Sequence, residues 1–137
     1  MPQPEVEVST NTVKRIVENT AREKWLSRWA VEKTGRALYK EMSKPNPKDT
    51  CNKLNRREQC VIFDLRTQHC HLNNHRNRIN PENLPNCRHC PHPYETVKHF
   101  LVDCPNLAIL RQQLLPHQPS ISNCLYGSVC EKNLLML

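Results

Sequence analysis

Along residues 13–42 the apolar positions recur at helical spacing. Val13, Ile16, Val17 and Ala21 form one stripe, Trp25 and Trp29 sit four apart, and Val31, Gly35, Leu38 and Met42 continue the pattern. No proline interrupts the stretch, and Ser9, Thr10 and Asn11 just before it are candidate N-caps. The spacing predicts a helix over about 13–42, with Gly35 a place where it can divide in two. Residues 1–12 read as an extended lead-in. Pro45-Asn46-Pro47-Lys48-Asp49 is a loop by its turn formers. A second helical stretch follows from Lys53 to about Gln68, with Leu54, Val61, Ile62 and Leu65 as its apolar positions. Leu72 and Ile79, seven apart, extend it to about 79. The two stretches, about 13–42 and 53–79, are expected to pair as a hairpin-like basic platform over 13–80.

Asn80 to Asn86 is rich in turn residues. A short helix is expected from about Pro93 to Val102, ended by Asp103-Cys104-Pro105, and another from Leu107 to Leu115. Residues 116–137 read as an irregular tail. No strong strand and no internal repeat is evident. The fold class is therefore a small, mostly α-helical domain with a zinc-knuckle module over 81–115.

Composition limits how such a chain is held together. Hydrophobic residues make up 37% of 137, with eleven prolines, and mean hydropathy is −0.73. A large apolar core is not available. A structural metal offsets that deficit, since zinc contributes an apparent ~10–16 kcal/mol in small modules. The chain has eight cysteines and seven histidines. It lacks an apolar signal core at the N-terminus, so metal-bound and free thiols in a reducing, intracellular setting (nuclear or cytoplasmic) are expected rather than four disulfides. No apolar run approaches membrane-spanning length.

The chemistry concentrates in Cys87, Cys90, His99 and Cys104, a C-x2-C-x8-H-x4-C arrangement. Zinc takes four thiolate or imidazole ligands in a tetrahedron. Two cysteines two residues apart aim both sulfurs at one point. His99 lies mid-helix, and Pro105 disfavours helical geometry at Cys104, freeing its thiolate to turn back. His89 and His92 are weaker rival ligands, because ligation by either strains the knuckle. Four protein ligands leave no open position for a catalytic water, so one structural Zn2+ is expected and no catalytic residue is assigned.

Twenty Lys and Arg against thirteen acids give a net charge of +7, which favours polyanionic partners, nucleic acid first. Residues 66–88 contain a single acid, Glu82. Arg66, Arg76, Arg78 and Arg88, with Lys98 beyond them, are candidate phosphate contacts; an ordinary solvated basic face is the alternative. His69 and His75 with Cys70 are a lesser candidate for a second metal pair. Trp25 and Trp29 can stack bases, though tryptophans four apart on a helix more often pack.

In order along the chain come Leu65-Arg66-Thr67-Gln68-His69, Leu72-Asn73-Asn74-His75-Arg76-Asn77-Arg78-Ile79, Cys87-x2-Cys90 and Glu95-Thr96-Val97-Lys98-His99-Phe100-Leu101-Val102-Asp103-Cys104-Pro105. This series resembles the C-terminal, post-ribonuclease H zinc-knuckle region of non-LTR retrotransposon reverse transcriptase polyproteins of the jockey and I-element type. Val13-Lys14-Arg15, Trp25-x3-Trp29 and Gly35-Arg36-Ala37-Leu38-Tyr39 are similar to the linker after the ribonuclease H domain there. The likeness covers about residues 6–115. Gln68 departs from the family pattern, which has a glycine there. The chain has no Tyr-x-Asp-Asp motif and no carboxylate set for a two-metal nuclease. The resemblance therefore implies zinc coordination by Cys87, Cys90, His99 and Cys104 and a role in handling RNA or DNA, without catalysis. The alternative is a structural or protein-docking zinc module, with other retroelement polyprotein domains as partners. Neither reading implies a membrane or a small-molecule substrate.

Overall fold

The computed structural model describes residues 8–115 and 120–127. Among these the chain is mostly helical, with no strand. Six α-helices run in order: α1 (Thr10–Val31), α2 (Arg36–Glu41), α3 (Arg56–Thr67), α4 (Asn73–Ile79), α5 (Ala108–Leu114) and α6 (Ile121–Tyr126). The chain divides into two compact units near Lys44/Pro45. The expected pairing of stretches 13–42 and 53–79 thus spans two units.

In the first unit Ser9 caps α1, its side chain accepting from the Thr12 amide. The helix begins inside the expected lead-in. It stops at Val31, and Gly35 then turns the chain with φ +67°. A Cβ at Gly35 would lie 2.9 Å from the Trp29 ring, so the position demands both glycine's left-handed freedom and its small size. The turn folds α2 back on the end of α1. Tyr39 meets Trp29 edge-on at 5.7 Å, the Trp29 indole N–H donates to the Met42 carbonyl, and Arg36 lies over both rings. No residue of α1 is buried.

The second unit is built on a small apolar core of Leu54, Ile62, Leu72, Val97, Leu101, Leu115, Cys124 and Leu125. α3 carries a capping box, in which Asn55 accepts from the Glu58 amide and the Glu58 carboxylate accepts from the Asn55 amide. The expected single helix over 53–79 is broken. Gln68 adopts a left-handed conformation (φ 62°) at the end of α3, and His69–Leu72 turn the chain before α4 starts. The break has a packing reason: it drives Leu72 into the core, while Ile79 stays 72% exposed. Gln68 is the sole non-glycine residue with positive φ among those described.

The stretch expected to be tail contributes to the core. α6 lies within 116–137, and its Cys124 and Leu125 are buried. Arg66 reaches α6 from α3. Its Nε donates to the Leu125 carbonyl at 2.7 Å, its Nη atoms hold Asp49 at 2.6 and 2.9 Å, and Tyr126 lies under the guanidinium. Cys130 and the Leu134–Leu137 end lie outside the described residues.

Candidate metal centre

The loop before the site is shaped by asparagines. Asn73 donates its side-chain amide to the Asn86 carbonyl, and Asn77 to that of Asn83. This wraps Asn80–Asn86 against α4 and delivers Cys87. A tight knuckle follows: the Cys87 amide donates to the His92 carbonyl (3.0 Å), and the His89 amide donates to Cys87 Sγ (3.4 Å). The expected helix over 93–102 starts later, at Val97, with the Thr96 hydroxyl accepting from the His99 amide. From His99 to Asp103 the turn widens to a π-helix, and the Cys104 amide donates to the His99 carbonyl at 2.7 Å. A turn of this width brings residues five apart to the same side. Cys104 is then extended (ψ 118°) before Pro105, as its proline neighbour requires.

These pieces bring Cys87, Cys90, His99 and Cys104 together, their ligand atoms all within 4.8 Å of one another. Cys87 and Cys104 sulfurs are 4.0 Å apart, and Cys90 Sγ is 3.3 Å from His99 Nε2. A zinc tetrahedron with bonds of about 2.3 Å to sulfur and 2.0–2.1 Å to nitrogen separates its ligand atoms by about 3.5–3.8 Å. The set therefore suits a metal ion in number and chemistry, with ligand atoms close enough to hold one. The sulfur separation is far beyond a disulfide bond, and the three cysteines are thiols.

The surroundings favour the ligating form at Cys87 and His99 and oppose it at Cys90. Burial opposes ionisation of Cys87, but the backbone N–H groups of His89 and Cys90 outweigh it and lower its pKa. At Cys90 the His92 amide favours the thiolate, while burial and the thiols of Cys104 and Cys87 oppose it and prevail, so its pKa is raised. Burial, aided by the charge of His92, holds His99 below the usual imidazole value, which keeps it in the neutral form that a metal binds. His92 is not among the clustered ligand atoms; its ring stacks on His99 at 4.1 Å.

Two residues that sequence reasoning did not assign hold the site from either side. The Glu95 carboxylate is fully buried. It accepts from the Asn73 amide at 2.8 Å, at the otherwise uncapped start of α4, and from Arg88 Nε at 3.0 Å. Burial raises its pKa, but Arg88 and the two backbone amides of Asn73 and Arg88 more than reverse that, leaving it below the ordinary value. Arg111, on α5, donates to the carbonyls of Leu101 (2.8 Å) and Cys104 (2.9 Å) at the end of the π-turn, where helix geometry leaves acceptors open. The signal for Glu95 was its place in the motif series, between Cys90 and His99; Arg111 had none.

No family model matches the chain, and no curated protein or solved structure does either.

The basic candidates separate. Arg66 is corrected: it is 6% exposed and fully engaged by Asp49, Leu125 and Tyr126, so it cannot meet a phosphate. Arg88 and Lys98 keep exposed side chains but pair with Glu95 and Asp103. Arg76 and Arg78 are exposed on α4, with no ion pair among the described residues. His69 and His75 stack at 5.0 Å, but with Cys70 they form no metal-ligand group among the described residues. Among the described residues no helix is long and apolar enough to cross a membrane.

Proposed function

We propose that residues 45–127 are a zinc-stabilised module that binds nucleic acid without catalysing a reaction on it. The observation that carries the reading is the gathering of Cys87, Cys90, His99 and Cys104 within 4.8 Å, next in sequence to a helix with two exposed, unpaired arginines. Four protein ligands close a zinc tetrahedron, so the metal acts on shape alone. Holding the knuckle fixes the Asn80–Asn86 loop, and with it α4. Arg76 and Arg78 then contact phosphates, with Arg88 and Lys98 at the margin. The likeness of the motif series to the post-ribonuclease H region of jockey-type and I-type retrotransposon polyproteins supports the same role, the C-terminal RNA- or DNA-handling end of a reverse transcriptase.

The test is binding of a single-stranded RNA or DNA oligonucleotide by the zinc-loaded chain and its Arg76→Ala/Arg78→Ala variant over a salt series. Losing two phosphate contacts should weaken binding and flatten the log–log salt slope by about 1.4 for a single strand. Unchanged affinity and slope favour the second reading, a protein-docking module. That reading has its own observation: Ile79 and Leu84, at the end of α4 and in the loop after it, are 72% and 74% exposed.

A further inference from the structure

The first unit contains an aromatic site that the zinc module does not explain. Trp25 and Trp29 stack on one side of α1 at 5.9 Å with planes 21° apart. Trp29 is fixed from behind by Tyr39, the Arg36 guanidinium, the Met42 carbonyl and the close approach of Gly35. Trp25 has no such cover and is 46% exposed. The two rings line an open groove along the helix with Ala21, Lys24, Arg28 and Glu32. Lys24 and Arg28 make no ion pair among the described residues. The charge around them is strongly one-sided: residues 13–48 hold ten Lys or Arg against four Glu. That is +6 of the chain's +7.

A rigid indole wall with an exposed ring beside it, flanked by unpaired cations, has the chemistry of a single-stranded nucleic-acid platform. Bases stack on aromatic faces whatever their identity, and lysine and arginine beside them follow the phosphates. A tryptophan serving only to pack would be covered, and the indole that does pack here is Trp29. We infer that the Trp25 face of α1 binds single-stranded nucleic acid by stacking one base on Trp25, with Lys24 and Arg28 on the flanking phosphates. This contact is separate from Arg76 and Arg78 and does not require the metal.

Trp25 and Trp29 are the chain's only tryptophans, so its indole emission reports on this unit alone. The full zinc-loaded chain is titrated with a twelve-nucleotide oligouridylate and with oligothymidylate. Emission should be quenched on binding. Trp25→Ala should weaken affinity about tenfold, and Trp25→Phe should restore most of it, with helicity checked by circular dichroism. Lys24→Ala/Arg28→Ala should flatten the salt slope by about 1.4. Quenching should persist in Arg76→Ala/Arg78→Ala. Binding with unchanged emission, and unchanged affinity in Trp25→Ala, overturns the platform and leaves the zinc-module reading standing. Unchanged oligonucleotide affinity together with Trp25-dependent self-association in sedimentation overturns it in favour of a protein-docking face.

Discussion

The amide of Cys104 donates to the carbonyl of His99 at 2.7 Å, and this single wide turn places a five-residue spacing on one side of the chain. In an α-helix the same spacing would carry Cys104 too far round to share a metal with His99. The π-turn is therefore part of the ligand geometry. The chain should purify with one equivalent of zinc. Cys104→Ser or Cys90→Ser should lose it, and amides over 87–104 should lose their hydrogen-exchange protection. Chelation should do the same to the unsubstituted chain, because a structural zinc supplies an apparent ~10–16 kcal/mol. A chain that native mass spectrometry shows to be metal-free, with those amides still protected, would refute the site.

Glu95 makes the second unit acid-sensitive. Its pKa lies below the ordinary value near 4.5, so above 4.5 the unfolded and folded chains both carry the charge and its contribution is complete. As pH falls through the depressed value the folded chain must also take up the proton, and the contribution is lost. Glu95→Gln should cost about 2 kcal/mol at pH 7. The gap between the two proteins, read from denaturant midpoints, should shrink towards pH 3. Acid would also strip a thiolate-bound metal from both, so the difference between the curves is the informative quantity.

Arg66 should behave as a stability residue. Arg66→Ala leaves Asp49 and the Leu125 carbonyl without their partner and should cost about 3–5 kcal/mol. Arg66→Lys keeps the charge but cannot reproduce the forked contact with Asp49, so it should recover only part of that. Refolded Arg66→Lys should bind oligonucleotide as the unsubstituted chain does. A stable Arg66→Ala with weakened binding would restore this arginine to the phosphate-contact set.

Gln68 is held at φ 62°, a conformation that disfavours residues with a Cβ by about 1–2 kcal/mol. Gln68→Gly removes that penalty and gives back part of it through a freer unfolded chain. The variant should be more stable by about 0.5–1 kcal/mol in chemical denaturation; a loss of stability would show that the Gln68 side chain contributes more than its backbone costs.

What the sequence made legible was local. Cys87, Cys90, His99 and Cys104 fall within eighteen residues, and the geometry that joins them is set by the knuckle, Pro105 and one turn. The helical stripes located α1, α3 and α5 for the same reason. What escaped was long-range. Arg66 looks like one more cation in a basic run until Asp49, 17 residues back, and the Leu125 carbonyl, 59 residues on, close around it. Glu95 is hidden as a support because one of its partners is a backbone amide 22 residues earlier. α6 was missed because a six-residue helix beside a proline-containing segment carries too few apolar positions to show a period, although two of them fill the core.

Glu95 and Arg111 support the metal loop by gripping main-chain atoms: amides at 73 and 88, carbonyls at 101 and 104. Main-chain atoms do not change when a codon does. Those contacts hold whatever side chain the gripped address carries, so the constraint they add falls on Glu95 and Arg111 themselves. Kin of this chain should therefore keep one thread, Cys-x2-Cys-x4-Glu-x3-His-x4-Cys-x6-Arg, by which they can be found.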